Sequence, residues 1–235
     1  MSTLHVAQTL AGKEILLYGG TGFLGSNLAL YLIKKKFEIT IIHTRNLSRK
    51  DKIKNIKYLR VDISNNRSLK KISNVYYDYV INFAGYVDHS KKKQVYKSHY
   101  TGCRNLVNLF KNKNIKLFIH IGSSTEYGHL KSPQSENKIV KIQSLKSHYS
   151  RAKFLATKYI ENTKNFPYVI FRLYLVYGPG QKTNRLIPII FQNALKNKKF
   201  DCSEGSQIRN FLYINDFINA VYKCLKIKPK RKIIN

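Results

Sequence analysis

Seven residues near the start of the chain, Gly19-Gly20-Thr21-Gly22-Phe23-Leu24-Gly25, constrain the fold more than any other feature. They follow the apolar run Glu14–Tyr18, which reads as a buried strand, and precede apolar residues at helical spacing from Phe23 to Ile33. A strand that breaks into a glycine turn and re-emerges as a helix aims the helix's free N–H groups and positive dipole end at whatever lies over the turn. Gly19 suits the tight turn, Gly22 lets the backbone approach a pyrophosphate, and Gly25 lets the helix pack close to the sheet. Phe23 and Leu24 then open the helix beside the ligand. The motif predicts a dinucleotide on the first strand–helix turn of a parallel sheet.

The rest of the chain alternates in the same way. Strands are expected at Glu38–Ile42, Ile56–Val61, Tyr79–Phe83, Leu117–Ile121 and Tyr168–Val176, with helices at Gln94–Leu109 and Tyr149–Glu161. Continuous apolar strands separated by helices argue for an α/β fold, a doubly wound parallel sheet of Rossmann type. Past Tyr177 the pattern changes. Gly178-Pro179-Gly180 is a turn, Arg185–Leu195 reads as a helix, and Ile208–Ile214 as a strand feeding a helix opened by Asn215 or Asp216. This divides the chain into a dinucleotide-binding domain over 13–176 and a small, truncated C-terminal substrate lobe over 177–235.

Composition narrows the class. The 235 residues suffice for one to two domains, and no apolar run reaches the 18 residues of a membrane span. The N-terminus lacks the pattern of a secretory signal, and three cysteines without a CxxC motif read as reduced thiols, so a cytoplasmic protein is expected. No metal site is expected. The formal charge of +31 raises the possibility of a polyanionic partner such as RNA. The basic clusters are dispersed, however, and Lys, Asn, Ile and Tyr are abundant together, which reads as compositional drift. A nucleic-acid partner is therefore disfavoured.

Cofactor choice should be set where the second strand ends. A carboxylate there would accept from the ribose 2′-hydroxyl of NAD, whereas a basic residue accommodates the 2′-phosphate of NADP. The chain has His43-Thr44-Arg45 and no carboxylate at that point, so Arg45 favours NADP, with NAD the alternative. Asp62, followed by Ile63, closes the third strand and can accept from the adenine amino group. Phe83, Ala84 and Gly85 close the fourth and would flank the cofactor.

Tyr149-Ser150-Arg151-Ala152-Lys153 places a phenol and an ammonium on one helical face. A phenol with a pKa near 10 must drop about three units, about 4 kcal/mol, to serve as a base at neutral pH. A cation at about 4 Å supplies a comparable amount at an effective dielectric near 20. Lys153 together with a positively charged nicotinamide is therefore expected to lower the pKa of Tyr149 and make it a usable general base. Ser123, at the end of the fifth strand in Gly122-Ser123-Ser124-Thr125-Glu126-Tyr127-Gly128, points a hydroxyl into the ligand crevice.

With these residues the chain resembles an extended short-chain dehydrogenase/reductase of the NAD-dependent epimerase/dehydratase family, whose members act on nucleotide sugars. Its GxxGxxG spacing is theirs. The resemblance implies Ser123, Tyr149 and Lys153 as catalytic residues and a hydride transfer at sugar C4, in an epimerase or a 4-ketoreductase. It also implies contacts to the substrate from Ser123, Ser124 and, through the segment Gln207–Asp216, from Arg209 on the nucleotide diphosphate. Family dehydratases carry an acid directly after the catalytic hydroxyl. Ser124 and Thr125 stand there and Glu126 comes one place too late, so dehydration is disfavoured. His99 replaces a usual Asn. The chain also stops at Lys232–Asn235, where a further strand and helices are expected to follow. A homodimer through the helices at Gln94–Leu109 and Tyr149–Glu161 is implied by the same resemblance. The competing readings are a non-catalytic nucleotide- or RNA-binding member and an inactive truncated enzyme.

Overall fold

The computed structural model describes residues 10–83, 85, 86 and 88–235. Strand β1 (Glu14–Tyr18) leads through the glycine turn into α1 (Phe23–Lys34), then β2 (Glu38–His43), β3 (Lys57–Arg60), α2 (Asn66–Ser73) and β4 (Tyr79–Asn82). A long helical stretch follows, made of α3 (Lys92–Tyr96), a π-helical turn (Lys97–Thr101) and α4 (Gly102–Phe110). Next come β5 (Leu117–Ile121), α5 (His148–Asn162) and β6 (Tyr168–Phe171). The last elements are β7 (Leu175–Tyr177), α6 (Leu186–Leu195), β8 (Phe211–Tyr213), α7 (Ile214–Ile227) and β9 (Lys232–Ile234).

Seven strands form one sheet in the order β3-β2-β1-β4-β5-β6-β9, and every pairing is parallel. The order reverses between β1 and β4, the switch point at which such sheets open a crevice beyond their carboxyl ends. Alternate strand residues feed two separate cores. Ile15, Leu17, Ile41 and Ile119 face α1 and α7 on one side. Leu16, Ile42, Val80 and Phe118 face α2, α4 and α5 on the other. Both faces are covered, which is why the strands read as continuous apolar runs rather than alternating ones. Among the described residues, no helix is long and apolar enough to cross a membrane.

Three expectations need correction. The apolar run Tyr168–Val176 is two strands. Its middle carries Arg172, whose side chain turns into a buried ion pair, and the chain beyond it leaves the main sheet to pair β7 with β8. The strand expected over Ile208–Ile214 is limited to β8, because α7 already begins at Ile214. Finally, Lys232–Ile234 does not merely precede a further strand. It is itself a strand, β9, on the edge of β6. Left-handed residues Lys228 and Arg231 reverse the chain after α7, and Arg231 is held by the Thr163 carbonyl and the face of Tyr168. Helix α2 escapes an apolar-periodicity reading because Leu69 and Ile72 are its only buried residues. Its start is marked instead by Asn65, whose side chain accepts from the N–H groups of Arg67 and Ser68.

Candidate active site

The glycine turn behaves as a cradle. Gly19 has φ +80°, and a Cβ there would lie 3.1 Å from that of Phe83 at the end of β4. Gly25 is required by a closer contact than helix-to-sheet packing. A Cβ on it would come within 2.5 Å of the Gly19 carbonyl oxygen and 2.6 Å of Gly20 Cα, so the helix packs on the loop itself. At Gly22 a Cβ would meet nothing nearer than 3.5 Å. Gly22 opens α1 with no side-chain cap and no acidic residue in the first turn, leaving the N-terminal N–H groups of Phe23 and Leu24 directed at the crevice. An uncapped helix end behind an open glycine backbone fits a pyrophosphate.

Arg45 reaches back over this loop, with Nη2 3.4 Å from the Thr21 carbonyl oxygen. It is not alone. Asp51, in the turn that follows β2, lies 3.6 Å from Nη2, so Arg45 has a carboxylate partner although none stands at the strand end itself. The signal was present in Ser48-x-x-Asp51, a capping box: Ser48 N–H and Oγ both donate to Asp51 at 2.9 Å and hold its pKa below the usual range.

The other cofactor candidates divide. Burial raises the pKa of Asp62, but bonds from Ser64 and a 3.2 Å pair with Lys97 outweigh it and keep the carboxyl ionised. Ile63 turns its side chain into the core, against Gly102, and its carbonyl accepts from Asn105. Phe83 is half-buried, edge-on to Phe217, and Gly85 is exposed. Ala84 lies outside the described residues.

Ser123, Tyr149 and Lys153 come together at the end of β5. Ser147 caps α5 by accepting from Ser150 N–H, and this sets Tyr149 and Lys153 one turn apart at the start of the helix. The Lys153 ammonium donates to the carbonyl oxygen of Ile121 at 2.6 Å. Burial lowers its pKa to about 8 against the favourable charge of Glu126. The Ser123 hydroxyl hydrogen-bonds the Tyr149 phenol and favours its ionisation. The net shift of the phenol is nevertheless upward, because burial dominates and the Glu126 charge adds to it. Lys153 and a positive nicotinamide act to lower the phenol; burial, which only the packed fold reveals, acts in the opposite direction.

Ser124 is half-buried beside Ser123, and Thr125 is exposed with its hydroxyl 2.9 Å from Ser123 Oγ. Glu126 is fully buried and paired to Arg172. Arg209 sits in an exposed loop, its guanidinium bonded to the Ile208 carbonyl and the Gln207 side chain. Two histidines frame the phenol: His89, which no sequence motif singles out, and His99, noted above only for replacing a usual Asn. His89 stacks on the Tyr149 ring with centroids 4.1 Å apart, and His99 meets it edge-on at 5.0 Å. His99 is carried inward by the π-helical turn and accepts from the Tyr86 N–H. The turn leaves no trace in apolar periodicity.

A model of the NAD dependent epimerase/dehydratase family matches residues 15–235. The chain belongs to that family. Among curated relatives it is 31% identical to a dTDP-D-glucose 4,6-dehydratase of Dictyostelium discoideum, over 88% of this chain and 54% of the relative. It is 25% identical to a CDP-abequose synthase of Salmonella muenchen, over 91% of this chain and 70% of the relative. The chain thus spans about half the length of the first and about two thirds of the second. The structure of an epimerase from Methanothermobacter thermautotrophicus superposes with a TM-score of 0.83 at 22% identity, over 96% of this chain and 71% of that one. The shared fold is that of the doubly wound sheet described above.

Proposed function

We propose that this chain is an NAD(P)-dependent enzyme that acts at C4 of a nucleotide sugar, as an epimerase or a 4-ketoreductase. The observation that carries this reading is the convergence of Ser123, Tyr149 and Lys153 at the end of β5. That strand end lies beside β4, which in turn pairs with β1, from whose end the glycine cradle rises. A nicotinamide cofactor held on that cradle supplies a hydride acceptor and donor. Gly22 and the first turn of α1 bind its pyrophosphate, and Arg45 faces its ribose. Ser123 Oγ orients the oxygen on C4. Tyr149 Oη takes the hydroxyl proton when the sugar is oxidised and returns it when the 4-keto sugar is reduced. Lys153 keeps a cation below the phenol. Arg209 and Ser124 bind the nucleotide sugar.

The upward-shifted phenol is a proton donor at neutral pH, which suits the reducing direction. Elimination is less well served. Ser124 and Thr125 stand where it would need an acid, and Glu126 is locked away from the crevice by Arg172. Arg45 supports NADP and the family description supports NAD. Asp51, which would compete with a 2′-phosphate for Arg45, forms only an exposed pair with it, which solvent and salt screen. A homodimer through the helical stretch Gln94–Leu109, which spans α3 to α4, and through Tyr149–Glu161 of α5 belongs to the same proposal.

The test is to incubate the protein with NAD⁺ or NADPH and screen UDP-, CDP-, GDP- and dTDP-sugars. Product formed with catalytic cofactor identifies an epimerase, and stoichiometric loss of NADPH a reductase. Tyr149→Phe should lower turnover by about 10²–10⁴-fold while calorimetry still detects cofactor binding. Undiminished turnover in that variant would refute the assignment of Tyr149.

A further inference from the structure

The end of β5 is held by an arrangement that the chemistry above does not use. Gly122 N–H donates to the Phe171 carbonyl at 2.7 Å, and Ser124 N–H to that of Leu173 at 2.9 Å. Between them the Ser123 N–H has a different partner. It donates to Glu126 Oε1 at 2.8 Å, the carboxylate folding back over the strand end. The other oxygen, Oε2, accepts from Arg172 Nε at 3.3 Å. Glu126 and Arg172 are 0% and 3% exposed. The guanidinium also lies 4.8 Å over the ring of Tyr127, and the Arg172 backbone N–H is bound to Ile234 in β9. The carboxylate leaves no room beneath it: a Cβ at Gly122 would approach Glu126 Oε1 to 2.5 Å.

A buried ion pair is a poor way to add stability, since well-packed apolar residues of the same volume often do as well or better. What a carboxylate offers here is a directional acceptor aimed at one N–H, and what the guanidinium offers is a fixed anchor for the carboxylate. We propose that Glu126 and Arg172 form a buried strut that positions the Ser123 hydroxyl against Tyr149, making both positioning residues for the proton transfer. This rests on the function proposed above.

The full chain and four variants test this. Glu126→Met/Arg172→Met removes the strut with volume preserved. It should fold, melt within about 5 °C of the parent, keep KM for the nucleotide sugar within about 3-fold, and lose about 30-fold or more in kcat. Ser123→Ala alone should cost a similar factor, and adding it to the double variant should cost about 3-fold or less, since the hydroxyl is already misplaced. By NMR, the Ser123 amide should exchange about 100-fold faster in the double variant than in the parent. Full kcat in the double variant, losses that simply multiply, or a Ser123 amide that stays protected would each overturn the proposal. If the double variant does not fold, Glu126→Leu/Arg172→Leu is read in its place: it likewise removes the acceptor facing the Ser123 N–H together with its anchor, and parental kcat in it overturns the strut. If the parent turns over no nucleotide sugar, the functional reading fails by itself, and the Ser123 exchange rate still decides the strut.

Discussion

Lys153 on α5 donates to the carbonyl oxygen of Ile121, the last residue of β5, at 2.6 Å. The bond ties the helix to the strand end that carries Ser123, and it keeps a cation inside the protein. Burial lowers that cation's pKa to about 8, from its ordinary 10.5. Between those values the unfolded chain holds the proton and the folded chain does not, so stability contributed at this site rises with pH across the window. The rise amounts to about 3 kcal/mol. Urea unfolding of the parent and of Lys153→Met from pH 7.5 to 10.5 should show the parent gaining that amount on the variant. Parallel curves would mean that Lys153 is not buried as a cation.

The two glycines at the start of α1 should respond differently to a methyl group. Gly25→Ala collides with loop backbone at 2.5 Å and should destabilise the protein by about 1–3 kcal/mol. Gly22→Ala meets only the Gly19 carbonyl at 3.5 Å and should melt close to the parent. Its cofactor affinity should still fall about 10-fold or more, because the methyl intrudes where the pyrophosphate approaches. Calorimetric titration with NAD⁺ and NADPH separates the two effects. Equal melting temperatures for both variants would contradict the packing described for Gly25.

Arg45 and Asp51 make opposite predictions. Arg45→Ala should weaken NADPH about 10-fold and leave NAD⁺ nearly unchanged, as loss of one charged hydrogen bond requires. Asp51→Ala removes a competing carboxylate and should strengthen NADPH binding by a few-fold. Fluorescence titration of both variants with each dinucleotide is sufficient. An Arg45→Ala variant that loses NAD⁺ and NADPH equally would place the guanidinium elsewhere on the cofactor.

The three cysteines should be chemically distinct. Cys103 is buried and its thiol is pushed up to about 12, chiefly by burial. Cys224 is buried in the opposite core and shifted in the same direction for the same reason. Cys202 is exposed. Ellman's reagent should modify one thiol rapidly in the folded protein and the other two only in denaturant, since the thiolate is the reacting form. Rapid reaction of two or three would show that a core opens readily.

Local chemistry made much of this molecule readable from its sequence. The glycine turn, the alternation of apolar runs with helical spacing, and the i, i+4 pair Tyr149 and Lys153 are all short-range patterns. Each survives in the structure because backbone geometry alone produces it. Relations between residues distant in sequence were decided only by the tertiary structure. The Arg172 partner is 46 residues away, so the split of the run Tyr168–Val176 could not be seen in the run itself. His89 and His99 reach Tyr149 through a loop and a π-helical turn that obey no apolar period. The direction of the phenol's pKa shift depends on burial, which belongs to the packed fold and to no single stretch of sequence.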